Sequence, residues 1–63
     1  MSRTARVRVY WRNYGKGRRL RAEWPGGYTE GSIGSAEETV WLLANLKSRE
    51  LGLPIKDESA GDA

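Results

Sequence analysis

The chain has 63 residues, enough for one domain, and a domain of this size buries only ~60% of the surface its unfolded chain exposes. It holds no Cys and no His, which excludes disulfides, thiolate metal sites and the usual general base, and leaves three Trp and three Tyr to supply much of the packing. A net charge of +3 conceals two unlike halves: residues 1–22 carry eight basic residues and no acid, whereas residues 23–63 carry three basic residues and eight acids.

In chain order, residues 1–5 read as a flexible lead. Residues 6–12 (Arg-Val-Arg-Val-Tyr-Trp-Arg) alternate strictly and are rich in β-branched and aromatic side chains, the signature of a half-buried strand. Gly15-Lys16-Gly17 is a turn signal, and residues 19–24 alternate again, so the two runs form a hairpin. Pro25-Gly26-Gly27 breaks the second strand, and a weaker third strand, diluted by Gly31, covers residues 28–33.

Ser35-Ala36-Glu37-Glu38 fits a capping box, with Ser35 as N-cap and Glu38 at N3. A helix is therefore expected over residues 36–51, closed by Gly52 at C′ and by Pro54 beyond it. Ala36, Val40, Leu43, Ala44 and Leu51 share one face, Leu46 flanks it, and Leu53 and Ile55 are placed to fold back onto the core. Residues 56–63 are polar, small and acidic, and read as a disordered tail. The longest apolar run, residues 40–44, is far short of the ~20 residues of a membrane-spanning helix, and no apolar segment follows the basic N-terminus to make a signal peptide.

The predicted fold class is α+β, a three-stranded antiparallel sheet (β-β-β-α) over residues 6–55 with one helix packed across one face. Alternation then assigns the side chains. Val7, Val9, Trp11, Leu20, Ala22, Trp24 and Ile33 face the helix; Arg6, Arg8, Tyr10, Arg12, Arg19, Arg21, Glu23, Tyr28, Glu30 and Ser32 face outward. Like charges opposite one another across strands are destabilising, and only Glu23 and Glu30 are present to relieve them, so the outward arginines point to a polyanionic partner. Arginine's planar fork suits phosphates and guanine edges, and a major groove about 12 Å wide admits strands as well as helices.

Leu20-Arg21-Ala22-Glu23-Trp24, a glycine turn, and a helix opening Ser35-Ala36-Glu37-Glu38 and continuing Val40-Trp41-Leu42-Leu43 resemble the small sheet-reading DNA-binding domains. These are the arm-type domains at the N-terminus of tyrosine-recombinase integrases and the similar AP2/ERF domain. The resemblance covers residues 6 to about 51. It implies that the sheet enters the major groove of double-stranded DNA, with Arg8, Tyr10, Arg12, Arg19 and Arg21 touching bases. Arg3, Arg6, Lys16 and Arg18, in the lead, at the rim and in the turn, are expected to hold phosphates. Tyr14 and Tyr28, near strand ends, either pack there or contact phosphates, and are placed with that set. No recombinase catalytic domain follows, so the expected role is a stand-alone accessory or regulatory factor, or an integrase-like arm-binding domain, of a phage or mobile element.

Other readings stay open. The chain could bind RNA or single strands by stacking bases on Tyr10, Tyr14 and Tyr28, or dock an acidic protein. Trp41, at the edge of the helix's apolar face, either packs on the sheet edge or joins the helix surface in a protein contact. Gly15-x-Gly17 lacks the spacing and following helix of a phosphate loop, and Glu37, Glu38 and Glu50 read as helix-surface charges. No nucleophile–base arrangement exists, so the expectation is no enzyme, no cofactor and no metal. A cytoplasmic protein is expected, nucleoid-associated if bacterial or from a phage.

Overall fold

The computed structural model describes residues 5–32 and 37–59. Strand β1 spans Val7–Asn13, β2 Arg18–Trp24, β3 Gly27–Glu30, helix α1 Glu37–Leu51, and β4 Ile55–Asp57. Arg3, Ile33, Ser35 and Ala36, and with them the N-cap and one expected core position, lie outside the described residues.

The first hairpin pairs β1 with β2 antiparallel, from Arg8↔Glu23 to Asn13↔Arg18. Its turn is closed by Tyr14 N donating to the Gly17 carbonyl at 2.8 Å. The Asn13 side-chain oxygen accepts from Gly15 N at 2.9 Å, and Gly15 takes a left-handed φ of 86°, the local hydrogen bond and backbone freedom that favour Asn and Gly in turns. At the second turn Pro25 fixes its own φ and Gly26 adopts φ 101°, the sequence demand of a type II turn. It pairs Trp24 with Gly27 and starts β3 against β2.

The fold is α+β as expected, but the sheet has four strands, not three, in the order β3-β2-β1-β4. The fourth, β4, lies parallel to β1, with Val7↔Ile55, Arg8↔Lys56 and Val9↔Asp57. The helix end delivers it. Gly52, at φ 68°, lets Leu53 N reach back to the Ser48 carbonyl at 3.0 Å, and Ser48 Oγ donates to the Leu53 carbonyl at 2.6 Å, a Schellman closure. The chain then runs along the outer edge of β1: Val7 N donates to the Pro54 carbonyl, and Glu58 N to the Val9 carbonyl at 2.8 Å. The expected disordered tail therefore begins too early, because residues 56 and 57 lie in a strand. The physical reason is the β1 edge, whose unpaired backbone groups are a template for any strand brought beside it.

Since β2 is antiparallel to both β1 and β3, strands β3, β1 and β4 all run the same way. The helix thus carries the chain from one edge of the sheet to the other, across one face. Val7, Val9, Leu20 and Ala22 from the sheet and Val40 and Ala44 from the helix form the buried core. Trp11, Trp24, Trp41, Leu53 and Ile55 pack around it. Ala22 and Ala44 are both fully buried, and their small side chains allow helix and sheet to approach closely. Leu51, expected on the core face, is 43% exposed: it lies in the last helical turn, beyond the two buried helix positions.

Candidate nucleic-acid interface

The face of the sheet away from α1 is open. Cross-strand partners share a face, and the buried pair Val9↔Ala22 marks the helix side. The opposite parity puts Arg8, Tyr10 and Arg12 of β1, Arg19, Arg21 and Glu23 of β2, Tyr28 and Glu30 of β3, and Lys56 of β4 on the open side. All five expected base-contacting residues, Arg8, Tyr10, Arg12, Arg19 and Arg21, lie there, as does Tyr28. Arg6 is exposed one residue before β1, and Lys16 is exposed in the hairpin turn. Arg18 opens β2 rather than lying in the turn, and it stands on the helix side with its guanidinium 4.5 Å from the Trp11 ring centroid.

The open face divides into two chemically different halves. Away from the hairpin turn, acid and base alternate in a continuous chain. Arg8 donates to Glu58 through Nη2 at 3.0 Å and Nε at 3.3 Å, and its Nη1 stands 3.7 Å from Glu23. Arg21 reaches Glu23 at 3.2 Å and Glu30 at 3.1 Å. Tyr14 then crosses toward β3 and donates its hydroxyl to Glu30 at 2.5 Å.

These contacts fix the charges they join. The hydrogen bond from Tyr14, aided by Arg21, holds the Glu30 carboxyl below the ordinary glutamate range, and Glu30 in turn raises the Tyr14 phenol. Arg8 holds Glu58 low by the same kind of bond. Burial opposes the charge on Arg21, but its hydrogen bonds to Glu30 and Glu23 outweigh that and leave the guanidinium more firmly protonated than usual. Arg21 also stacks on Tyr28 at 3.8 Å, and Arg8 on Tyr10 at 4.6 Å.

At the hairpin end the direct ion pairs stop, and Arg19 acts on the Glu30 carboxylate only from a distance. Arg12 and Arg19 face each other directly across β1 and β2, and neither makes an ion pair with a carboxylate among the described residues. Their guanidinium carbons lie 5.6 and 5.4 Å from the Tyr14 ring centroid, so both use one aromatic ring as their neighbour. Lys16 is exposed in the adjoining turn and Arg18 just behind it. Four cations of the first half of the chain, Arg12, Lys16, Arg18 and Arg19, thus gather at the hairpin end without an ion pair among the described residues.

Two members of this arrangement were not found from sequence. Glu58 lies fifty positions from Arg8, and no periodicity links them, since their contact depends on β4. The Tyr14–Glu30 bond spans all three antiparallel strands and follows only once the register is known. Among the described residues no cluster of three or more acidic side chains is placed to hold a metal, and no helix is long and apolar enough to cross a membrane. No family model matches the chain, and no curated protein or solved structure matches it.

Proposed function

We propose that this chain binds double-stranded DNA by laying the hairpin end of its open sheet face in the major groove. The observation that carries the reading is the Arg12–Arg19 pair: two arginines directly opposite each other across strands, neither in an ion pair with a carboxylate among the described residues. Such a pair weakens the sheet that holds it, and a polyanion relieves the repulsion. Arginines on neighbouring strands also suit groove reading, since an arginine engages a guanine edge with two hydrogen bonds.

On this reading the five outward residues separate into two roles. Arg12 and Arg19 read bases, with Tyr10 and Tyr14 beside them. Arg8 and Arg21 are held by Glu58, Glu23 and Glu30 and brace the face. Lys16 and Arg18, with Arg6 at the rim, contact phosphates. The resemblance to integrase arm-type domains supports the same mode of docking, with the fourth strand a departure from that three-stranded pattern. Stacking of single-stranded bases is less favoured, because Tyr10, Tyr14 and Tyr28 each already have an arginine over the ring.

The test is fluorescence anisotropy with duplex DNA, single-stranded DNA and an acidic peptide as competing ligands, repeated over a series of salt concentrations. Duplex is expected to bind most tightly. Neutralisation of three phosphates, by Lys16, Arg18 and Arg6, gives a log–log salt slope of about −3, from ~0.9 per phosphate. Tighter binding of the single strand, or of the peptide, refutes the duplex reading.

A further inference from the structure

We infer that the outer face of α1 joins two copies of this chain, the helices running antiparallel about a two-fold axis near Leu42 and Leu46. Leu42 is 61% exposed and Leu46 49% exposed, one turn apart on the side of the helix turned away from the sheet, where nothing else in the described chain covers them. Beside them is an open hollow of about 510 Å³ lined by Leu43, Leu46, Lys47, Arg49 and Glu50. Positions 43, 46, 47 and 50 have the i, i+3, i+4, i+7 spacing of a hole that receives one side chain from a facing helix.

The charges choose both the partner and its direction. Glu38 and Arg49 lie on the same flank of the leucine stripe, at opposite ends, and both are exposed. Neither takes part in an ion pair among the described residues, whereas neighbouring Lys47 and Glu50 pair with each other at 3.0 Å. In an antiparallel pair like flanks face each other, so Glu38 of each copy meets Arg49 of the other, twice by symmetry. A parallel pair would set unlike flanks together and leave Glu38 and Arg49 without each other. A surface with an acid at one end, a base at the other and leucines between is complementary to itself. The patch is small beside the ~1,200 Å² of a standard interface, so the association is weak and concentration-dependent.

Where the chains pair in this way, the helices lie at the centre and the open sheet faces point away from each other. Resting on the DNA-binding reading above, one dimer then holds two duplexes rather than two half-sites of one.

Sedimentation equilibrium of the full chain without nucleic acid, from micromolar to millimolar concentration, tests the pairing independently of that reading. A reversible monomer–dimer equilibrium is expected. Glu38→Arg or Arg49→Glu alone should raise the dimer Kd roughly tenfold, because two attractive pairs become repulsive. The double reversal should return it to within about threefold of the parent. Leu46→Gln should leave a monomer, with circular dichroism showing the fold intact in every variant. A parent chain that stays monomeric at millimolar concentration overturns the proposal and leaves the face to another protein. A dimer indifferent to Leu46→Gln and to the single reversals, or one that the double reversal fails to restore, overturns it as well.

Discussion

Arg8 and Arg12 stand on the same face of the same strand, yet one is clasped by Glu58 and the other has no carboxylate within reach among the described residues. Alternation in the sequence put both outward and could not distinguish them, because the difference comes from a strand pairing made after the helix. Their roles separate on mutation. Arg12→Ala and Arg19→Ala should each weaken duplex binding by ~1–3 kcal/mol while leaving the melting temperature unchanged or slightly raised, since each removes half of a like-charge pair. Arg21→Ala should instead lower stability by ~1–2 kcal/mol, because Glu23 and Glu30 lose their shared partner and Tyr28 its stacking cation. Binding isotherms and melting curves on the same variants check both expectations.

The same network gives a pH dependence of stability. Glu30 and Glu58 have carboxyls lowered in the folded chain, by Tyr14 and Arg8 respectively. A lowered folded pKa contributes stability that is present above the unfolded glutamate value and is lost as pH falls through the folded value. Tyr14 is raised by its bond to Glu30, so its contribution is present below the unfolded tyrosine value and is lost as pH rises through the folded one. Carboxyl-detected NMR should show Glu30 and Glu58 titrating below the ordinary glutamate range. Tyr14→Phe should bring Glu30 back toward the ordinary range and flatten the alkaline decline.

At the level of elements, the hairpin, the second turn and the helix C-terminus were legible because each rests on local chemistry. Asn13 and Gly15, Pro25 and Gly26, and Gly52 followed by Pro54 occupy the positions their backbone angles require. The strand β4 was not legible: Ile55-Lys56-Asp57 is three residues long, too short to show a period, and its pairing depends on where the Gly52 turn delivers the chain. Truncation after Pro54 tests that element. It removes the pairing of β1 with Ile55, Lys56 and Asp57 and the Glu58 partner of Arg8. The melting temperature should fall by several degrees, roughly 4–8 °C for each kcal/mol lost in a domain of this size. An unchanged melting temperature would mean that β4 contributes nothing to the fold.

On the scale of the whole molecule, the basic first half and acidic second half of the chain do not stay apart in space. Glu23, Glu30 and Glu58 come from the acidic half and return to the arginine face, where they neutralise one end and leave the other. The charge asymmetry in sequence therefore located the arginine-rich face but not which of its arginines are paired with carboxylates. The core is correspondingly slight, six buried side chains among the described residues, of which Leu20 is among the largest. Leu20→Ala, at ~2–5 kcal/mol, removes a large part of the stability available to 63 residues and should unfold much of the population, seen as loss of the cooperative melting transition.

The central claim is that nucleic acid meets the hairpin end of the open sheet, and an amide-detected NMR titration with duplex DNA tests it most directly. The largest shifts are expected at Arg12, Tyr14, Lys16 and Arg19, smaller ones at Arg8 and Glu23, and none along the outer face of α1. Shifts concentrated on Leu42, Leu46 and Arg49 instead, or a sheet face that does not respond at low salt, would contradict it.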